Sequence, residues 1–172
     1  MSDADAPSEP AAGDAPDDGE RDADDTRVEV VRAVGHEHVT AEHAGTFELT
    51  ADDWLTPAGD CIVGIEADRT PGDFSAEFRE ACRDADAVIE ATLVVDAGDD
   101  ETHEETITGR GDPDLTLLDD RSMVGRTSDY TDDERTILVD GDGAAADFDR
   151  DLVAALANGA KLTLRLEVEP AE

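Results

Sequence analysis

Lysine is nearly missing from this chain of 172 residues: Lys161 stands alone, and Arg brings the basic total to only 13 against 47 Asp and Glu. Such a shortage of positive charge argues against nucleic acid as a partner, because phosphate is held through clustered Lys and Arg. Aromatics are scarce too, with four Phe, one Trp and one Tyr, and no aromatic-basic stretch of the kind that stacks RNA bases occurs. Two cysteines, Cys61 and Cys82, are too few to staple a chain of this size, and they fit thiols in a reducing compartment. No run approaches the ~18 apolar residues of a membrane span, and the N-terminus lacks a basic patch followed by an apolar stretch. The reading is therefore a cytoplasmic protein with no membrane partner.

What the chain has in excess is carboxylate, for a formal charge of −34. In dilute buffer such a surface repels itself, whereas at roughly 1 M salt the Debye length falls to about 3 Å and neighbouring charges are screened. The composition points to the cytosol of a salt-accumulating archaeon. It says nothing about chemistry. After the initiating Met, residues 1–26 contain only Ala, Asp, Glu, Gly, Pro, Ser, Thr and Arg, so nothing there offsets the entropy of ordering. They are expected to form a disordered acidic tail, leaving residues 27–169 as one compact domain.

Along that domain, strands are expected at Val28–Val34, from Val39 to Thr50, and at Cys61–Ala67, the last two separated by the turn-rich loop ADDWLTPAGD. Phe74, Phe78, Ala81 and Cys82 then line one face of a helix that starts near Pro71, Gly72 and Asp73 and ends near Asp84. Val88–Val95 reads as a strand, DAGDDE as a turn, and Thr102–Thr108 as its polar hairpin partner. A shift of 74 positions (142 minus 68) lays Asp68 on Asp142, Phe74 on Phe148, Phe78 on Leu152 and Cys82 on Leu156. Without a gap it also lays Gly35 on Gly109 and Val88–Val95 on Leu162–Glu169, and Asn158-Gly159 fits a left-handed stop for a second helix. Either the chain holds two copies of one unit, residues 27–96 and 102–169, or two unrelated units are similarly spaced. The first reading gives an α+β fold that is mostly β: about eight strands in a curled or barrel-like sheet, with two helices on one side.

Several residues taken in order resemble a known family. They are GH, V, A, H and TFE within Gly35–Glu48, and LT and GDCIVGI within Leu55–Ile65. Gly109, Gly111, Pro113, Leu115, Thr116, the RTS of Arg126–Ser128, Arg135-Thr136 and DFDRDL from Asp147 continue the pattern. Together they resemble the archaeal family catalogued as domain of unknown function 371, over about Val28–Val168. The resemblance implies an archaeal origin and a single compact domain. It implies no activity and supplies no functional residue. Where the family pattern has Pro after Gly-His, this chain has Glu37.

Chemistry has few places to sit. His36, His38 and His43 are three imidazoles within eight positions, and Asp60 or Cys61 could join them. With no C-x-x-C or H-E-x-x-H spacing, neither a metal nor a cofactor is expected. Asp60-Cys61 opens a strand after a Gly-containing loop, where an acid or nucleophile can project. A buried, inert thiol fits the same position, since no cation or helix N-terminus adjoins Cys61 in sequence. Arg110, Arg121, Arg126 and Arg135 cluster in one stretch, and their planar forks suit carboxylate or phosphate guests as well as the chain's own Asp residues.

Two functions remain open. One is a domain that binds a small anionic metabolite between its halves, with His36, Asp60 and Cys61 as candidate catalytic groups and Arg110, Arg126, Arg135 and His43 as ligand contacts. The other is a non-catalytic module that meets a protein partner or associates with RNA.

Overall fold

The computed structural model describes residues 27–169, so the acidic tail assigned to residues 1–26 lies outside the described residues. In chain order the elements are β1 (Arg27–Val34), β2 (Thr46–Thr50), β3 (Ile62–Gly64), α1 (Ala76–Ala81), β4 (Val88–Gly98), β5 (Glu101–Arg110), β6 (Ser122–Arg126), β7 (Thr136–Leu138), α2 (Arg150–Ala157) and β8 (Lys161–Glu169). A 3₁₀ turn precedes each helix, at Pro71–Asp73 and Ala145–Asp147.

Period-two alternation builds the first sheet, β1-β8-β4-β5, which is antiparallel throughout. Ile89, Ala91, Leu93 and Val95 of β4 and Leu162, Leu164, Leu166 and Val168 of β8 are buried, while Glu90, Lys161 and Arg165 between them are exposed. The second sheet, β3-β2-β6-β7, has an antiparallel pair at its centre and a short parallel strand on each flank. Its inner face carries Phe47, Leu49 and Met123, all fully buried and each stabilising by about 1.5–3 kcal/mol relative to exposure. Phe47 meets Phe148 with ring centroids 5.9 Å apart, which ties this sheet to the segment leading into α2. Among the described residues no helix is long and apolar enough to cross a membrane.

The barrel-like sheet expected from the sequence is not formed. The edges of the two sheets meet through the isolated bridges Val34 to Ile65 and Arg110 to Val139, and through one main-chain bond past each, Asp68 N–H to Arg32 C=O (2.9 Å) and Asp142 N–H to Thr108 C=O (3.0 Å). β3 and β7 are three residues long and cannot run beside the whole of β1 and β5, so no continuous ladder forms at either corner. Beyond each bridge a glycine turns the chain away: Gly35 N–H donates to Ala160 C=O (2.8 Å) and Gly111 N–H to Ala87 C=O (3.1 Å). A Cβ would lie 2.0 Å from the Leu156 carbonyl oxygen at Gly35 and 2.2 Å from that of Cys82 at Gly111. Only Gly fits against these helix-end carbonyls.

Exchanging the halves leaves both strand orders unchanged. Hydrogen bonds recur at matched places: Glu48 N–H to Cys61 C=O and Val124 N–H to Arg135 C=O are both 2.8 Å. Asp60 C=O accepts from Glu42 and His43, just as Glu134 C=O accepts from Leu118 and Asp119. Left-handed φ angles recur at Ala41 (50°) and Leu117 (54°), and at Glu66 (56°) and Asp140 (51°). This geometry corrects the gapless register. Gly111 stands where Gly35 stands, not Gly109, because the loop after β6 is shorter than the loop after β2. Lys161 rather than Leu162 matches Val88, since both are exposed and both precede a buried residue. A slip of one residue would turn every β8 side chain to the wrong face.

Both helices are shorter than expected. Ser75 accepts the Phe78 N–H through its hydroxyl (3.1 Å), which fixes the start of α1 after Phe74 has been left extended. Phe74 packs edge-on against Phe78 at 5.3 Å instead of joining the helix. Gly159, at φ +87°, ends α2 as expected.

The segments 36–45 and 112–121 are loops, although the sequence leads to the expectation of a strand from Val39. Val39 and Ala41, then Leu115 and Leu117, are buried at alternate positions and so imitate a strand's period. Their backbones close turns, Val39 N–H to His36 C=O and Leu115 N–H to Asp112 C=O. Each loop crosses to the other half's helix region: Arg150 donates to the Ala41 carbonyl (3.2 Å), and Arg83 donates to the Leu115 carbonyl (3.0 Å).

Candidate functional site

β2 and β6 come from different halves, and side chains on the solvent face of their junction receive contributions from both. There a cleft of about 440 Å³ opens, lined from the first half by Glu48, Thr50, Asp52, Trp54 and Ile62. Asp119, Arg121, Ser122, Asp133 and Arg135 line it from the second half. Trp54, the chain's single Trp, is 54% exposed at this rim.

Glu48 organises the floor. Its position on β2 turns it away from Phe47 and Leu49, and its two carboxylate oxygens accept from Cys61 Sγ (3.3 Å) and Arg135 Nη1 (3.3 Å). Burial and the neighbouring Glu48 charge push the Cys61 thiol up to about 11. The group is therefore a protonated donor at neutral pH, which does not favour the nucleophilic role considered for it. Cys82, packed in the core, is pushed up to about 12 by burial.

Arg126 and Asp133 form the second unit. Arg126 Nη2 donates to Asp133 Oδ2 at 2.7 Å and Nε donates to Thr136 Oγ1 at 2.8 Å. Its guanidinium carbon sits 4.7 Å from the centroid of the Tyr130 ring. Burial pushes the Asp133 carboxyl up, but bonds from Thr136, the Arg135 N–H and Arg126 outweigh that and hold it below the ordinary carboxylate range. Arg135 Nε lies 3.7 Å from Asp133. Near the mouth, Arg121 forks onto Asp52 (2.8 and 3.0 Å), and its hydrogen bond lowers the Asp52 carboxyl.

Of the residues singled out from sequence, Cys61, Arg126 and Arg135 thus gather around Glu48 and Asp133. Arg121 stands at the mouth on Asp52, and the others lie elsewhere. His36 Nδ1 accepts the His38 N–H (3.0 Å), and the two rings sit 5.0 Å apart. His43 Nδ1 accepts from the N–H groups of Gly45 (3.0 Å) and Thr46 (3.1 Å). In the other half Asp112 accepts the Asp114 N–H (2.9 Å), and Asp119 accepts from Arg121 (3.0 Å) and Ser122 (2.8 Å). Each His therefore does the turn-holding work that an Asp does in its counterpart, and each must keep Nδ1 unprotonated to do so. Asp60 acts through its carbonyl, which holds the His43 loop. Arg110 is drawn to Asp140 (2.6 Å) at the sheet corner. Among the described residues no group of three or more His, Cys, Asp or Glu is gathered to hold a metal ion.

Trp54, Glu48, Thr50, Asp52 and Asp133 were missed by the sequence reading. A lone Trp inside a turn-rich loop was the signal available for the first, although the adjoining Leu55 of the same loop is buried in the core. The carboxylates were hidden among 47.

Residues 31–169 match the family described as Domain of unknown function (DUF371). An uncharacterised protein of Methanocaldococcus jannaschii is 38% identical over 139 residues, covering 81% of this chain and 98% of the relative.

Proposed function

Since the chain belongs to the archaeal DUF371 family, whose description ascribes no activity, we propose from geometry alone that it is a small-ligand-binding domain whose working site is the cleft between its halves. The observation that carries this reading is the exposed Trp54 at the rim of a 440 Å³ cleft to which both halves contribute charged groups. A large aromatic left outside the core of a chain so poor in aromatics is well placed to cover a flat guest. The proposed working compartment is a salt-rich cytoplasm, on the strength of the −34 charge.

The sequence reading gave the guest a negative charge because it counted arginines as clamps. Each fork in or beside the cleft has a carboxylate partner, Arg121 on Asp52 and Arg135 on Glu48 in its lining and Arg126 on Asp133 behind it, so an anion competes with carboxylates already in place. That geometry supports the cleft more than the sign of its guest. The test uses Trp54 emission in molar KCl across phosphorylated, carboxylated and cationic metabolites. A saturable change with one class is the expected result, and a flat response to all of them counts against a ligand site at this rim.

A further inference from the structure

We propose that the cleft takes a guanidinium group, carried by a small molecule or by an arginine of another protein; this deepens the reading above and rests on it. The two ends of the β2–β6 pair are equivalent: Glu48 pairs with Val124, Thr50 with Ser122 and Thr46 with Arg126, so exchange of the halves puts Thr50 in the place of Arg126. Four residues further along each chain stand the aromatics Trp54 and Tyr130, which are 54% and 47% exposed. On the Arg126 side the space is filled by the chain's own guanidinium, held by Asp133 at 2.7 Å, by Thr136 at 2.8 Å and by the Tyr130 ring at 4.7 Å. On the Thr50 side the aromatic is present but the strand itself supplies no guanidinium: the neighbouring Arg121 is drawn onto Asp52 (2.8 Å), and no cation–ring contact to Trp54 is formed among the described residues. What remains there is the open cleft.

Charge agrees with this assignment. The cleft is lined by Glu48, Asp52, Asp119 and Asp133 against Arg121 and Arg135, an excess of carboxylate that a cation neutralises and an anion worsens. Asp119 uses Oδ2 for the N–H groups of Arg121 and Ser122, while Oδ1 has no hydrogen-bond partner among the described residues. A planar guest with its charge spread over a fork can stack on Trp54 and still donate sideways to such an oxygen. Stacking also survives the molar salt that screens a point charge.

The experiment titrates agmatine, an acetyl-Gly-Arg-Gly-amide tripeptide, acetyl-lysine amide and AMP against Trp54 emission in 2 M KCl. Saturable responses at millimolar agmatine or tripeptide, at least tenfold tighter than acetyl-lysine amide, are expected. A tighter tripeptide assigns the guest to a protein chain, and a tighter agmatine assigns it to a free small cation. Thr50→Arg supplies the missing group internally, so it should show a shifted Trp54 emission and no further titration. Should that variant fail to fold, Trp54→Ala read by ligand-detected NMR must lose at least tenfold in agmatine affinity. Response to AMP alone overturns the guanidinium and leaves the cleft reading standing, as does equal response to the lysine probe. Silence from all four probes sinks both, and a Thr50→Arg protein that still titrates sinks the proposal by itself.

Discussion

Two corners of the second sheet share a backbone and differ in what fills them. At one, Arg126 lies under Tyr130 and against Asp133; at the other, Thr50 leaves Trp54 facing a cleft. Main-chain contacts at the strand ends recur, from the paired glycines to the left-handed residues at Ala41 and Leu117, whereas the turn bond from Ile62 N–H to Gly59 C=O is replaced in the other half by Thr136 N–H donating to the Asp133 carboxylate. The scaffold is therefore held by main chain and by close approach, and the side chains above it are free to diverge. One corner lacks a filler that the other keeps, and the open cleft lies there.

The sharpest way to break this equivalence is at its glycines. Gly35→Ala and Gly111→Ala each force a Cβ to about the same distance from a helix-end carbonyl, 2.0 and 2.2 Å. Backbone cannot yield as a flexible side chain can. Each variant is expected to lose about 3 kcal/mol or to fail to fold, as read by urea unfolding in molar KCl. If one is neutral, the two corners are not under the same constraint.

Arg126→Thr copies the open corner onto the filled one. It removes two charge-assisted bonds and a ring contact from a largely buried group, and a loss of about 2 kcal/mol is expected. The converse, Thr50→Arg, should cost far less, because the cleft has room. The pair also differs in acid. Asp133 has its carboxyl lowered in the folded state, so its contribution is complete above the unfolded carboxylate value of about 4 and is lost as pH falls through the lower folded value. Unfolding curves from pH 5 to pH 2 should be flatter in Arg126→Thr than in the native chain, and unchanged curves would place the lowering of Asp133 elsewhere.

A smaller effect separates the loops. His43 and Asp119 accept equivalent N–H pairs, as do His36 and Asp112 singly. His43→Asp should fall within about 0.5 kcal/mol of native, whereas His43→Ala should lose about 1 kcal/mol, measured by the same urea midpoints. A large loss in His43→Asp would give the imidazole a task beyond its turn.

The sequence was readable where period and environment agree. Leu162, Leu164, Leu166 and Val168 alternate because one face of β8 meets the core, and the strand followed from that, as the stop of α2 followed from Gly159. It misled where alternation had another cause: Val39 and Ala41 are buried by a loop docked on the other half, which no local pattern distinguishes from a strand. The matched geometry of the two halves was foreshadowed by Asp68, Phe74 and their mates, whether or not the halves are copies of one unit. The register drifted because the loop after β6 is shorter than the loop after β2, and a gapless shift cannot express that. In the site, Cys61, Arg126 and Arg135 were identified by residue type. Their mutual arrangement was not, since Glu48 and Asp133 join them only across the seam, and in this composition one more carboxylate carries no signal.

The last contrast is between the matched positions Cys61 and Arg135, both of which lean on Glu48. A thiol beside a carboxylate keeps its proton, whereas a thiol beside a free guanidinium loses it, so the reactivity of Cys61 reports which neighbour it feels. With its proton held up to about 11 by burial and then by Glu48, Cys61 should react with iodoacetamide at pH 8 about 100-fold more slowly than in the unfolded chain. Its rate should keep climbing with pH past 9, where an ordinary thiol levels off. Glu48→Gln removes the second cause but not the first, so it should speed the reaction without restoring the unfolded rate. Cys82, buried in the core, should stay unlabelled in both proteins, which lets peptide masses assign the site. A fast reaction at pH 8 that is flat above pH 7 would mean that Arg135 has left Glu48 for the sulfur. The carboxylate would then be free in the cleft floor, and a nucleophilic role for Cys61 would return.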